Sequence, residues 1–395
     1  MSTDPEGSHR GLVIFNVADG DDRRIVIGTD GTVRAQPEGG ERQVDAAGRI
    51  LVPAFAEPHV HLDRAFTLGL TGGNQSGTLS EAIVRYRNAV ELMTVKALEV
   101  GARRALDLLW SAGVGHVRTH TAVGGRLGFR AWEAVERAAS RVPGVSVRQV
   151  IMPIDGIEQP DALPLAREAA ARGAVAVGGA PWLDEDPSAA TRASAELAAE
   201  LGIELDLHVD ETDDARVSTL SDLALAVADT GLCGRAIATH CCSMAGRPEH
   251  TARQEAETLA EAGVAVVVCP ISNLALQGRR TGARGLAPLH LLRDASVRVG
   301  IGLDNIRDVI VAVGTSDPLR AAWLVALAGH LTGENDLTWL GNIIVRENRI
   351  LCGLPAELAP GDNADLLLLD ACSLADAVAL VPSRRRVTAG MGPGP

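Results

Sequence analysis

Two histidines spaced two apart, His59-Val60-His61, close the apolar run Leu51 to Pro58 and are the pair in this chain best placed to do chemistry. On a β-strand, residues i and i+2 share a face, so both imidazoles can reach one metal ion. Two later alternating runs, Ile203 to His208 and Arg235 to His240, also end in histidine, and Val297 to Asp304 ends in a carboxylate. Taken singly, an inward histidine is more often satisfied by backbone carbonyls than bound to a metal. Taken together at matching strand ends, three imidazoles and one carboxylate suit a single Zn²⁺ or Fe²⁺ with positions left open for water. Such a site lowers the pKa of bound water from about 16 toward about 7 and makes hydroxide available at neutral pH. Glu211, three residues beyond His208, is placed to carry protons between that water and a leaving group, and His240 to hydrogen-bond the hydroxide or the tetrahedral intermediate. His120 ends the second strand candidate and is read as lining the pocket. His9, His116, His250, His290 and His330 lie off the strand ends and are given no role.

These groups converge only if the strands that carry them close into a barrel. From residue 50 to about 345, short β-branched apolar runs alternate with longer Ala/Leu-rich, charge-patterned stretches, the signature of repeated βα units. Eight strand candidates end near His61, His120, Ile154, Ala180, His208, His240, Pro270 and Asp304. Helix candidates include Leu79 to Leu92, Val95 to Ala112, Arg130 to Arg141, Asp161 to Arg172, Ser188 to Leu201, Pro248 to Ala262 and Pro318 to Leu331. The expectation is an α/β chain, a (β/α)8 TIM barrel with catalytic groups at the carboxyl ends of its strands. An open doubly wound sheet would announce a Gly-rich first turn, and no GxGxxG or GxxxxGK[ST] string follows any of these strands. Leu12 to Arg49 reads as short strands with turns at Asp30-Gly31 and Glu38-Gly39-Gly40, and Leu366 to Leu369 as one buried strand. Neither end is large enough to fold alone, so both termini are paired into one small β domain. The expected division is 1–54, barrel 55–345 and 346–390, with a disordered tail at Gly390 to Pro395.

Composition narrows the partners. A net charge of −13 over 395 residues disfavours nucleic acid and anionic membranes, which demand a basic surface. The first ten residues carry no apolar segment of signal-peptide length and no later run reaches a membrane span, so a cytoplasmic protein is expected. Six cysteines without CxxC spacing read as reduced thiols. Aromatic residues make up only 3%, which leaves Trp182 and Phe66 as the candidates to stack on a planar ligand.

The strings around these residues carry a resemblance. Glu57-Pro58-His59-Val60-His61-Leu62-Asp63, Asn74-Gln75-Ser76-Gly77-Thr78-Leu79, His116-Val117-Arg118-Thr119-His120, His208-Val209-Asp210-Glu211, Thr239-His240 and Leu276-Gln277-Gly278-Arg279 resemble the amidohydrolase superfamily, its cytosine deaminase subgroup most of all. The likeness runs from about Val52 to Asp308. It implies one metal ion, zinc or iron, held by His59, His61, His208 and Asp304, with Glu211 as proton shuttle, His240 beside the hydroxide, and Leu79 and His120 in the pocket. A homo-oligomer is expected from the resemblance alone. Many superfamily relatives bridge two metals with a carboxylated lysine; the only lysine here, Lys96, falls inside a predicted helix, which argues for one metal.

Departures from the subgroup bear on the substrate. Ile154 stands where cytosine deaminases place a glutamine that reads the pyrimidine ring, and an isoleucine forms no hydrogen bond to a ring amide. Asn305 stands where those enzymes have a second aspartate, and Asp304-Asn305-Ile306-Arg307-Asp308 is more similar to N-isopropylammelide aminohydrolase. The reading is a metal-dependent aminohydrolase that removes ammonia or an amine from a small amino-substituted N-heterocycle other than cytosine. A ring-opening hydrolase of cyclic amides or hydantoins is the alternative within the class. A catalytically idle barrel that binds a small molecule is the alternative outside it.

Overall fold

The structure, a computed structural model, describes residues 11–18, 24–279 and 283–387. The expected tail at Gly390 to Pro395 lies outside the described residues. Near the amino end, β1 (Leu12–Phe15), β2 (Ile25–Ile27), β3 (Val33–Arg34) and β4 (Arg42–Asp45) form one sheet in the order β3-β2-β1-β4. β5 (Leu51–Pro53) follows that sheet in the chain and leads into the barrel.

The barrel consists of β6 (Phe55–Val60), β7 (Val114–Val123), β8 (Ser146–Pro153), β9 (Ala176–Gly179), β10 (Glu204–Val209), β11 (Ala236–His240), β12 (Val264–Val268) and β13 (Val299–Ile301). Each strand pairs in parallel with the next, so the sheet order follows the chain order. The seam between first and last strands closes at the carboxyl end, through a parallel bridge between Val60 and Asp304. There the His61 N–H donates to the Asp304 carbonyl at 3.0 Å and the Asp304 N–H to the His59 carbonyl at 2.8 Å. The hydrogen bonds that shut the barrel are thus made by residues expected to bind metal.

The expected helices are present, among them Leu79–Ala89, Val95–Ser111, Arg130–Ala139, Ala162–Ala171, Pro187–Leu201, Glu249–Glu261 and Pro318–Ala328. Their starts follow local chemistry. Thr78, Thr94 and Asp186 accept the otherwise unpaired N–H groups of Glu81, Ala97 and Ala189 at 3.2, 3.2 and 3.0 Å. Small residues such as Ala102, Ala105, Ala195 and Ala198 let these helices lie close on a barrel wall of Val, Ile and Leu. No helix among the described residues is long and apolar enough to cross a membrane. Lys96 is exposed on the helix Val95–Ser111.

At the other end, β14 (Leu366–Leu369) pairs antiparallel with β5 and with β15 (Arg384–Val387). The two terminal sheets share a core in which Leu12, Ile14 and Ile27 meet Leu51, Leu366 and Leu368. β15 was not foreseen as a strand within the expected segment 346–390, because Arg384-Arg385-Arg386 shows no apolar alternation. Two of those arginines are held by acids of the barrel side and the turn: Arg384 pairs with Asp317 and Arg386 with Asp365, while Arg386 also lies over the Trp110 ring. A helical run from Glu334 to Leu351 passes through position 345, with a π-turn at Ile343–Glu347. Its buried Asn348 donates to the Ile301 carbonyl at 2.9 Å and accepts from the Ile301 N–H at 3.0 Å, which fastens this run to β13.

Candidate metal centre and active site

β6, β10 and β13 deliver His59, His61, His208 and Asp304 to one point at the barrel mouth. His61 Nε2 lies 3.1 Å from His208 Nε2 and 3.3 Å from Asp304 Oδ1, and His59 Nε2 lies 3.7 Å from the same carboxylate oxygen. Two donors each about 2.1 Å from one ion are about 3.4 Å apart at the tetrahedral angle and about 3.0 Å apart at a right angle. The spacings observed are those of ligands around a common centre. His120 and His240 offer donor atoms in the same region, in the triplets His59-His120-His208 and His59-His240-Asp304.

Hydrogen bonding leaves this cluster unsatisfied. His59 Nε2, His208 Nδ1, His240 Nε2 and both Asp304 carboxylate oxygens are buried without a partner. Burial and the neighbouring imidazoles push His59, His61 and His208 well below the ordinary histidine range, so their lone pairs are free. Burial raises the Asp304 carboxyl to about 7. Facing nitrogen lone pairs beside a desolvated carboxylate are costly by themselves and are satisfied by a cation, so the donor set fits a divalent metal ion.

The surroundings set the tautomer of His59. His59 Nδ1 lies 3.2 Å from Thr239 Oγ1, which donates in turn to Asp206 Oδ1 at 3.4 Å. Asp206 is held by Arg118, whose Nε donates to it at 2.7 Å. This buried chain places a proton on His59 Nδ1 and turns Nε2 toward the centre. His61 Nδ1 faces the His120 carbonyl at 3.2 Å and Arg64 Nη2 at 2.7 Å. The two contacts demand opposite tautomers, and only donation to the carbonyl leaves Nε2 free for metal.

His240 is set differently. The Cys269 N–H donates to Asn273 Oδ1 at 3.1 Å, which fixes that amide, and Asn273 Nδ2 then donates to His240 Nδ1 at 2.8 Å. Its proton therefore sits on Nε2, 3.8 Å from Glu211 Oε2. Burial holds the His240 imidazole down at about 3, so it stays neutral and acts as an N–H donor. Glu211 is raised well above the carboxylate range by burial and by Asp304. Backbone strain gathers at the same place: His240 and Asp304 have φ of 78° and 57°, the left-handed region that costs side-chain-bearing residues about 1–2 kcal/mol.

Above the centre opens a cavity of about 330 Å³, lined by Leu79, Tyr86, Ile154, Asp184, Asn305 and Ile310 among others. Of the residues expected to touch substrate, Leu79, Ile154 and Asn305 line this cavity. Both ends of the Asn305 amide are engaged, Oδ1 by Ser272 Oγ at 3.0 Å and Nδ2 with Asp308 Oδ2 at 2.7 Å. His120 and Trp182 are corrections. β7 continues to Val123, so Ala122 reaches the cavity while His120, one inward step lower, is fully buried 3.4 Å from Asp206. Trp182 sits in the 3₁₀ turn Pro181–Leu183, where successive side chains diverge by about 120°. Pro181, Leu183 and Asp184 line the cavity and Trp182 does not. Phe66 lies under the Arg104 guanidinium, 4.1 Å from ring centroid to Cζ, away from the cavity.

Several buried polar residues escaped the sequence reading. Asp63 accepts the Ala122 N–H at 3.0 Å and pins the turn Leu62–Arg64 after β6 to β7, and Arg64 lines the cavity beside His61. Their place in the string His59-x-His61-x-Asp63-Arg64 was the available signal. Asp206, inward by alternation two residues before His208, was legible in the same way. Asn273 gave none, since it lies in the short helix Pro270–Leu276.

Comparison with known proteins bears on the fold and the family. An amidohydrolase family model matches residues 131–389. Pterin deaminase of Rhizobium rhizogenes is 29% identical over 343 residues, covering 83% of this chain and 77% of that protein. Among solved structures, 5-methylcytosine deaminase from Klebsiella pneumoniae superposes with a TM-score of 0.87 at 26% identity, over 96% of both chains. N-isopropylammelide isopropylaminohydrolase from Burkholderia multivorans gives 0.82 at 25% identity, over 96% of this chain and 97% of that one. With two thirds of its length matched by the family model and the barrel superposing nearly end to end, this chain belongs to the amidohydrolase family.

Proposed function

We propose that this protein hydrolyses the exocyclic C–N bond of an amino-substituted N-heterocycle, releasing ammonia or an amine. The observation that carries the reading is the convergence of four donor residues with Glu211 and His240 at the base of one cavity. His59, His61, His208 and Asp304 hold one divalent ion, zinc or iron, and a set of three imidazoles and a carboxylate suits both. When bound, that ion supplies Lewis acidity and a water of lowered pKa. Glu211, kept protonatable by burial, takes a proton on one side of the reaction and gives it to the departing nitrogen on the other. His240 directs its Nε2–H at the oxygen that gains charge as the ring carbon becomes tetrahedral. Ile154 and Ile310 give the far wall an aliphatic surface that cannot read a ring amide, which favours a substrate other than cytosine. The names of the relatives, pterin deaminase, 5-methylcytosine deaminase and N-isopropylammelide isopropylaminohydrolase, support the reaction class. A reducing, cytoplasmic setting is supported by six free cysteines.

The test is release of ammonia or amine from a panel holding pterin, 5-methylcytosine, cytosine, isocytosine, creatinine and N-alkyl aminotriazines. Zinc-loaded and iron-loaded protein are compared with Glu211→Gln. The expected result is turnover of at least one ring, reduced about 10²- to 10⁴-fold in the variant while metal content is kept. A ring-opened acid without ammonia, or turnover indifferent to Glu211→Gln, refutes the reading.

A further inference from the structure

Two strings singled out in the sequence, Asn74 to Leu79 and Leu276 to Arg279, have no part in the chemistry above, yet the structure brings them into contact. The helix Leu79–Ala89 turns Leu79, Ile83, Tyr86 and Arg87 to the cavity and so forms part of its cover. The turn before it is tightly built. Asn74 accepts the Gly77 N–H at 2.9 Å and donates to the Thr78 carbonyl at 2.9 Å, and Glu81 accepts the Gln75 N–H at 3.0 Å and also binds the Ser76 N–H. The Ser76 carbonyl points outward and accepts Arg279 Nη1 at 3.1 Å. The guanidinium is itself steered by the Ala275 carbonyl, 3.2 Å from Nε and 2.8 Å from Nη2. It lies flat on Gly77, where φ is 69° and a Cβ would stand 2.1 Å from Arg279 Nη2.

The same short segment also grips the loop that carries the proton shuttle. Buried Gln277 donates from Nε2 to the Glu211 carbonyl at 2.9 Å, and the Gly278 N–H donates to Asp213 Oδ1 at 2.7 Å. We propose that Gln277 and Arg279 are positioning residues that tie the cover segment 73–78 to the shuttle loop 210–213, so that seating the cover and orienting Glu211 are one event. Fixing the Glu211 peptide fixes the origin of its side chain. A misplacement of about 1 Å at such a group costs about 100-fold in rate. When the Arg279 contact opens, the segment 276–279 loses one of its two anchors and the grip on Glu211 loosens with it. Water is then excluded only in the state in which the shuttle is aligned, which suits a hydrolase that must keep bulk solvent from its proton transfer. The catalytic part of this inference rests on the role proposed for Glu211; the mechanical part does not.

The test uses the metal-loaded full chain and Arg279→Ala, Arg279→Lys, Gly77→Ala and the Gly77→Ala/Arg279→Ala double variant. Hydrogen exchange is followed in peptides covering 73–78, 210–213 and 276–279, which needs no substrate. Gly77→Ala is expected to speed exchange about tenfold in all three segments and Arg279→Ala to do the same. The double variant is expected to be no worse than either single one, because both break one contact. Faster exchange confined to 73–78 in Gly77→Ala, with 210–213 and 276–279 as in wild type, overturns the coupling. On a substrate that wild type turns over, Arg279→Ala is expected to lower kcat about tenfold with KM within about threefold and metal content unchanged, and Arg279→Lys to recover most of kcat. An unchanged kcat, or a loss that appears only in KM, overturns the positioning role. If no compound in the panel is turned over, the functional proposal fails while the exchange data still decide the coupling.

Discussion

Thr239→Val tests whether the chain behind His59 sets the metal site. Thr239 is fully buried in β11, and valine keeps its shape while removing the hydroxyl that lies 3.2 Å from His59 Nδ1. Asp206 keeps Arg118 at 2.7 Å, so the change falls mainly on His59. Without metal, the imidazole can move its proton to Nε2 and relieve Nδ1. With an ion on Nε2 it cannot, and a buried N–H is left without an acceptor. That costs about 1–3 kcal/mol, and the whole penalty appears in metal affinity. The dissociation constant should rise about 5- to 150-fold, in line with the 10- to 100-fold typical of residues that support metal ligands. Competition with a chromophoric chelator measures it, with Thr239→Ser as the control that restores the hydroxyl. Affinity within about threefold of wild type in the valine variant, or a serine variant as weak as valine, refutes the assigned chain.

Three further outcomes follow from the same geometry. Gly302 stands beside the seam, where an added Cβ would lie 2.8 Å from His59 Cβ and 3.0 Å from its carbonyl oxygen, so Gly302→Ala should cost about 1–3 kcal/mol of stability and loosen metal binding. Unchanged thermal unfolding and metal content would contradict a tightly packed seam. Burial, with Glu158 nearby, raises the half-buried Asp184 carboxyl from 3.8 to about 6. The folded state thus holds this proton more tightly, and the stability it lends is complete below about pH 4 and lost as pH rises through 6. Asp184→Asn should therefore gain Tm relative to wild type between pH 4.5 and 7, and a pH-independent difference would refute the assignment. Ile154→Gln restores an amide to the cavity wall and should raise kcat/KM for cytosine relative to the preferred ring by about tenfold or more; an unchanged ratio means that position 154 does not face the ring.

Fold and family were legible because they depend on local periodicity and on residue types at strand ends. Alternation in Ile203 to His208 placed His208 inward, and the spacing of His59 and His61 placed both on one face. Helices followed from Ala/Leu-rich, charge-patterned stretches between the strand candidates. What periodicity does not give is how far a strand runs. β7 extends three residues beyond His120, which moved that histidine one layer below the cavity and put Ala122 in its place. Nor does it give the fate of a polar run, so Arg384 to Val387 was missed as a strand whose arginines are paired by Asp317 and Asp365.

The sequence by itself determined a closed βα barrel and the donor types at its mouth, because inward and outward positions are set by a two-residue period and helices by their caps and apolar stripes. Only the tertiary structure decided which donors meet. Closure of β13 on β6 through the Val60–Asp304 bridge brings the carboxylate of the last strand to the histidines of the first. It also decided which ring nitrogen faces the centre, through Thr239 and Asp206 for His59 and through Asn273 for His240. These are contacts between residues far apart in the chain, and their geometry depends on barrel closure and packing rather than on any local pattern.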